Sequence, residues 1–368
     1  MTRVRRRHAR RGDTVMPDPG AGDVQVTTPD FDFLVVDEFL RTLVDLRALK
    51  TAFELGLVDR LLEHRGGDTE ALGRALGVDP QGFHLLLDLL AANRVVERHG
   101  GDVRLGRRFL AALRYRDLLQ AKLDFAGFTL GDFAELFTLL VTNGDGFQRQ
   151  AGLFQLFDYR RCLEFSPENY ARTRGWMRIT SALTRYEVLA CLPQHDFSRH
   201  RRLLDVGGNS GEFVLQLCRR HPGLRGTVLD LPLVCEIGLE HVLAEPEQDR
   251  IGFVKADVRT DRLPPGHDLI SFKSMLHDWP WPQACGFIAR AAEALAPGGT
   301  LLIFERAALA LEQTPPVSML PHLLFFRSYR RAADYVEALQ ALGFEDIRQA
   351  AVALDSPFFV VTGRKPAG

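Results

Sequence analysis

Residues 203–213 read LLDVGGNSGEF. A short apolar run of strand character ends at Asp205, a glycine-rich turn follows, and a helical pattern opens near Glu212. Gly207 and Gly208 allow a tight turn and close approach of a ligand to the main chain. Strand, glycine turn and helix together form the first unit of a nucleotide-type pocket in an α/β sheet. The turn lacks the full GxGxxG spacing, and Glu212 at the helix start would face a pyrophosphate unfavourably. A nucleoside cofactor without phosphate is therefore expected, rather than NAD.

Downstream, the pattern repeats. GTVLDL, IGFVKAD, HDLISFKS and TLLIFER are short, β-rich apolar runs, separated by the helical stretches FVLQLCRRH, VCEIGLEHVLA and ACGFIARAAEALA. Buried parallel strands joined by crossover helices predict a doubly wound sheet. After a last helix, DYVEALQALG, the runs IRQAAVA and PFFVVTG are expected to close the sheet as a hairpin. Asp230 ends the second strand, 19 residues after Gly211, where a carboxylate meets ribose hydroxyls. Asp257 ends the third and suits an adenine; Lys273 ends the fourth. Each alone would read as a solvated strand end; together with the glycines they converge on one cleft at the carboxyl ends of the strands.

Upstream, apolar residues from Leu40 to Leu62 recur at helical spacing. Asp68 or Thr69 can cap a short helix that Gly77 ends, and Asp79-Pro80 starts another. VVERHGGDVRL reads as a hairpin turning at Gly100-Gly101, which completes a winged-helix pattern over 31–114. A DNA-binding regulator with a ligand-sensing domain is one reading of that pattern. Its would-be recognition helix, GFHLLLDLLAANRV, carries leucines and only one arginine, Arg94, so protein–protein packing suits it better than base readout. Residues 115–195 are expected to be helical and are rich in aromatics, as a linker that also lines a pocket would be.

The 368 residues carry 46 Lys and Arg against 47 Asp and Glu, and six of the arginines fall in the first dozen positions. The rest is mildly acidic, which argues against a nucleic-acid platform. Residues 1–30 read as a disordered basic tail, with Met16 a possible start, and neither a signal peptide nor a membrane span is expected. Five cysteines form no CxxC pair, as suits a reducing cytoplasm.

LLDVGGNSG, VLDLP, KADV, FKSMLHDWP and LAPGGTLLIFE occur in the order and spacing of the plant-type small-molecule O-methyltransferases, which include bacterial natural-product enzymes. The chain resembles that family over about 200–310 and more loosely over 35–115. The resemblance implies a Rossmann-like class I methyltransferase domain over 196–368, with a seven-stranded, mostly parallel sheet. It implies an all-α, winged-helix-like dimerisation domain before it, a homodimer, and S-adenosyl-L-methionine as cofactor. Cofactor contacts would fall on Gly207, Gly208, Asp230, Leu231, Asp257, Val258 and Lys273, with Met177 and Ser181 at the methionine end. His277 of LHDW takes the position of the general base, beside Asp278, and Glu305 that of the carboxylate orienting it. An imidazole suits that role, because a phenol-like acceptor titrates near ~10.

Two departures stand out. Asn209 replaces one glycine of the turn, a residue that tolerates left-handed backbone. Tyr329 replaces a second base-orienting glutamate, and His322 lies seven residues before it. The second departure raises an alternative: His277, Asp278 and His322 as iron ligands for C-methylation of a 2-oxo acid, with Arg327 or Arg330 on its carboxylate. Relatives that keep the cofactor for hydroxylation or decarboxylation are a third possibility.

Overall fold

The computed structural model describes residues 31–368; the expected basic tail, residues 1–30, lies outside them. The N-terminal module runs through α1 (Leu43–Glu54), α2 (Leu57–His64), β1 (Gly67–Asp68), α3 (Thr69–Leu76), α4 (Pro80–Ala92), β2 (Val96–His99), β3 (Asp102–Leu105) and α5 (Arg107–Ala112). The caps fall where the sequence puts them. The Asp68 side chain accepts from the Ala71 N–H, Gly77 adopts the left-handed conformation behind α3, and Asp79 caps α4 with Pro80 at its first turn. The wing is a hairpin across Gly100-Gly101, and β1 adds a third strand in the order β1-β3-β2, so the module is not purely helical.

On α4, Phe83, Leu87 and Leu90 are buried, and Leu86 and Leu89 pack partly against the same core. Leu85 alone among these points outward, with 61% of its surface exposed.

Three helices connect this module to the large sheet: α6 (Arg116–Thr142), α7 (Gly144–Gln150) and α8 (Pro167–Cys191). The stretch Arg107–Thr142 is long and apolar enough to cross a membrane by length and composition, with a mean hydropathy of 1.3 over its richest window. The sequence reading found no such run because scattered polar residues interrupt it. α6 packs against α8 and buries Leu118, Leu119, Leu123 and Ala126, while only 17% of that stretch's most apolar window is buried within the chain.

The large sheet holds β4 (Arg202–Val206), β5 (Arg225–Asp230), β6 (Ile251–Lys255), β7 (His267–Lys273), β8 (Leu295–Arg306), β9 (Glu345–Ala353) and β10 (Pro357–Arg364). Crossovers are made by α9 (Glu212–Arg220), α10 (Pro232–Val242) and α11 (Trp281–Ala294); α12 (Leu320–Leu324) and α13 (Ala332–Ala341) follow β8. Strand order is β6-β5-β4-β7-β8-β10-β9. The first five strands are mutually parallel, and β10 runs antiparallel between β8 and the edge strand β9. Both sheet faces are covered by apolar clusters, which is why the inner strands read as continuous hydrophobic runs. The order reverses between β4 and β7, so a crevice opens at their carboxyl ends.

Candidate active site

Residues from α8 and from the ends of β4, β5, β7 and β8 line this crevice. Gly207 (φ 70°) and Asn209 (φ 55°) hold left-handed backbone at its floor, so the Asn replacement is accommodated as its side chain allows. A Cβ on Gly208 would stand 2.7 Å from Asp205 Oδ2 and 3.0 Å from Val228 Cγ1, which leaves no room for a larger residue. The turn is pinned from two sides. Asn209 N–H donates to Asp230 Oδ2 at 2.8 Å, and the Asn209 side chain accepts from Ser210 N–H and from Thr180 Oγ1.

Gly207, Gly208, Asp230, Leu231, Asp257, Val258 and Lys273 all line this crevice. Asp230 is half-buried, and desolvation pushes its carboxyl up to about 6. Asp257 is held below its usual value by hydrogen bonds from the Arg259 side chain. Lys273 is ion-paired with Glu187 and donates to Thr184 Oγ1 at 2.8 Å, so it braces α8 against the sheet.

Met177 and Ser181 do not line the crevice. Met177 is buried behind α8, and Ser181 donates to Ser210 Oγ at 2.6 Å beside a separate surface groove. Trp176, Thr180, Leu183, Thr184 and Glu187 form the α8 face that does. Their spacing is one helical stripe, a step of one residue from the expected pair. Glu212 likewise turns away, buried against Arg185, His241 and Gln216, so its charge has no bearing on the ligand.

Sequence reasoning missed Asp205. Its Oδ1 accepts from Ser271 Oγ at 2.6 Å, while buried Oδ2 has no partner among the described residues. Burial pushes this carboxyl up to about 7. A cationic ligand end would satisfy the orphan oxygen. With the glycine cradle and the Asp230 carboxylate, these residues fit S-adenosylmethionine, a nucleoside bearing a sulfonium and an ammonium.

In the turn after β7, His277 Nδ1 lies 2.6 Å from Glu305 Oε2. Glu305 is fully buried, and its Oε1 accepts from Met275 N–H at 2.8 Å and Leu276 N–H at 2.7 Å. Burial alone would favour the neutral imidazole, but the Glu305 charge, with Asp278 behind it, outweighs burial and raises the His277 pKa. Glu305 is correspondingly lowered, its burial offset by the His277 charge and three hydrogen bonds. Asp278 Oδ2 accepts from Tyr159 O–H at 2.6 Å, and the Tyr159 ring stacks on Trp279.

His277, Asp278 and His322 do not gather as metal ligands. Among the described residues, no group of three or more His, Cys, Asp or Glu side chains is placed to hold a metal. His322 Nδ1 is paired with Tyr329 O–H at 3.1 Å, and the Tyr329 ring packs against both histidine rings. Arg330 is spent on the Leu276 and Trp279 carbonyls, and neither it nor Arg327 lines the crevice.

An O-methyltransferase domain matches residues 141–345, and an O-methyltransferase dimerisation domain matches 38–112. The chain belongs to the S-adenosylmethionine-dependent O-methyltransferase family. This replaces the DNA-binding reading of the winged helix, since the same helix–hairpin module is the family's dimerisation domain.

The 3-hydroxy-5-methyl-1-naphthoate 3-O-methyltransferase of Streptomyces sahachiroi is 35% identical over 190 residues, half of this chain and 54% of that protein. The tetracenomycin polyketide synthesis 8-O-methyl transferase TcmO of Streptomyces glaucescens is 29% identical over 87% of this chain and 93% of its own. The apo crystal structure of the S-adenosylmethionine-dependent methyltransferase SibL superposes with a TM-score of 0.62 at 26% identity, over 87% of this chain and 96% of that one.

Proposed function

We propose that the protein transfers a methyl group to an aromatic hydroxyl of a natural-product intermediate, with His277 as general base. The observation that carries this is the His277–Glu305 contact of 2.6 Å, with His277 lining the same crevice as the glycine cradle. S-adenosylmethionine, when bound, supplies an activated methyl group whose displacement needs alignment more than further activation.

Asp230 would take the ribose hydroxyls, Asp257 and Val258 the adenine, and Asp205 the cationic end. Because Nδ1 is committed to Glu305, the proton-accepting nitrogen is Nε2. Glu305, fixed by two backbone N–H groups, holds the ring and stabilises the imidazolium that forms. Phe125, Phe157, Trp176 and Phe325 give the acceptor end apolar, aromatic walls that suit a planar ring. The relatives that act on a naphthoate and on a tetracenomycin polyketide support the same acceptor class.

The protein acts as a homodimer in this reading. Exposed Phe128, Phe137 and Val141 on α6 suit burial by a second copy, and the match to the dimerisation domain supports it. Unpaired thiols at all five cysteines suit the cytoplasm. The domain boundaries of this reading are 31–114, 115–195 and 196–368.

The test is incubation with methyl-deuterated S-adenosylmethionine and a set of hydroxynaphthoates and hydroxyquinones. The expected product is an aryl methyl ether carrying the label. A C-methylated product, or cofactor turnover without methyl transfer, would contradict the reading.

A further inference from the structure

Arg306, at the end of β8, was not singled out by the sequence, yet it lines the inner end of the crevice. Its side chain is 10% exposed. A guanidinium has five N–H groups. One reaches Glu187 Oε1 at 2.5 Å and one reaches Ser274 Oγ at 3.3 Å, the Phe358 ring packs on the guanidinium at 4.6 Å, and buried Nε–H has no partner among the described residues. Arginine is seldom left so incompletely bonded in an interior, because each unmade hydrogen bond on a buried charge is costly.

Glu187 is shared between Arg306 and Lys273, so Arg306 does not hold a carboxylate of its own. Asp355, another acid whose field reaches Arg306, is ion-paired at 2.8 Å with Lys122, which also pairs with Asp37. Beside Arg306 stand His322 and Tyr329, both lining the crevice. Burial, then the Arg306 charge, lowers His322 to about 3, so the ring is neutral. His322 Nδ1 and the Tyr329 hydroxyl are 3.1 Å apart; in the tautomer the subsite would use, Tyr329 O–H donates to Nδ1 and the ring proton on Nε2 is a further donor.

We propose that this inner end is a carboxylate subsite: the acceptor is a hydroxyarene carboxylic acid whose carboxylate is received by the free N–H groups of Arg306 and by His322 Nε2–H. The fork geometry of a guanidinium matches a carboxylate, and a fixed acid group would orient the ring so that its hydroxyl meets His277. This deepens the reading above and rests on it. Arg306 here determines specificity, and the Glu187 pair holds it in place.

The test compares 3-hydroxy-2-naphthoate, its methyl ester and 2-naphthol as acceptors for the full-length protein at saturating S-adenosylmethionine. In parallel, 1-naphthoate and methyl 1-naphthoate are titrated calorimetrically against protein loaded with the demethylated cofactor. The acid is expected to exceed the ester in kcat/KM and in affinity by about 100-fold, as the loss of charge-assisted hydrogen bonds implies. Arg306→Lys, checked for folding by its thermal melt, is expected to erase most of that preference.

Equal methylation of acid and ester, or equal or absent binding of 1-naphthoate and its ester, overturns the subsite. If 1-naphthoate binds with the stated preference but no hydroxyl is methylated, the subsite stands and the O-methylation reading falls. The wild-type comparison of acid with ester decides the matter even if Arg306→Lys does not fold.

Discussion

Replacing Glu305 by Gln changes one charge while keeping the shape of a side chain that is entirely buried. The native carboxylate accepts three hydrogen bonds, two from backbone N–H groups on Oε1 and one from His277 on Oε2. In the variant the amide oxygen keeps the two backbone bonds, and the amide NH2 is left facing His277 Nδ1. Nδ1 must then accept, so the ring proton moves to Nε2, the atom that should take the proton of the acceptor. A base locked in the wrong tautomer costs about 10⁴ in kcat in the analogous histidine–carboxylate arrangement of serine proteases.

The pH profile should move too. Glu305 raises the His277 pKa, so the wild-type acid limb is expected above 6.5, where the imidazole loses its proton. Without that charge the limb should shift to lower pH. The assay is initial-rate product mass spectrometry with a hydroxynaphthoate between pH 5.5 and 9, with a urea melt to verify folding. A folded variant whose kcat is within about threefold of wild type, with an unmoved acid limb, would refute the base-orienting role.

Asp230→Ala is expected to weaken binding of the demethylated cofactor by about 10–150-fold in calorimetry, as lost hydrogen bonds to a charged group imply, while 1-naphthoate affinity holds. His322, buried and lowered to about 3, folds as a neutral ring, so its contribution is full above pH 6.5 and is lost as pH falls toward 3. Urea unfolding at pH 7 and pH 5 should show a steeper loss for wild type than for His322→Gln, with a difference of about 1.4 kcal/mol per pH unit at most. Phe137→Asp combined with Val141→Asp, on the exposed face of α6, should convert a dimer into monomers in sedimentation velocity.

Much of the fold was legible because strands buried on both faces read as unbroken apolar runs, and turns announce themselves through Gly207, Gly77 and Asp79-Pro80. The insertion of β10 between β8 and β9 was not, since two strands close in sequence say nothing of which takes the edge. Of the expected site residues, those at strand ends line the crevice, because strand ends converge by topology. On α8 the crevice-lining stripe stands one position from the expected pair, since a helix face is set by its rotation and the sequence around Trp176 does not fix it. Asp205 and Arg306 were passed over because their significance lies in unmet hydrogen bonds, which only packing reveals. The iron alternative failed for a related reason, since the spacing of His277, Asp278 and His322 does not show that Tyr329 stands between the two rings.

The most direct measurement is single-turnover methyl transfer by His277→Asn, with demethylated-cofactor binding measured on the same sample. Loss of the imidazole should leave cofactor affinity within about twofold, because the His277 ring is held by Glu305 and not by the glycine turn, and slow transfer by about 10²–10⁴-fold. Transfer at the wild-type rate by a variant that binds the cofactor normally would contradict the account.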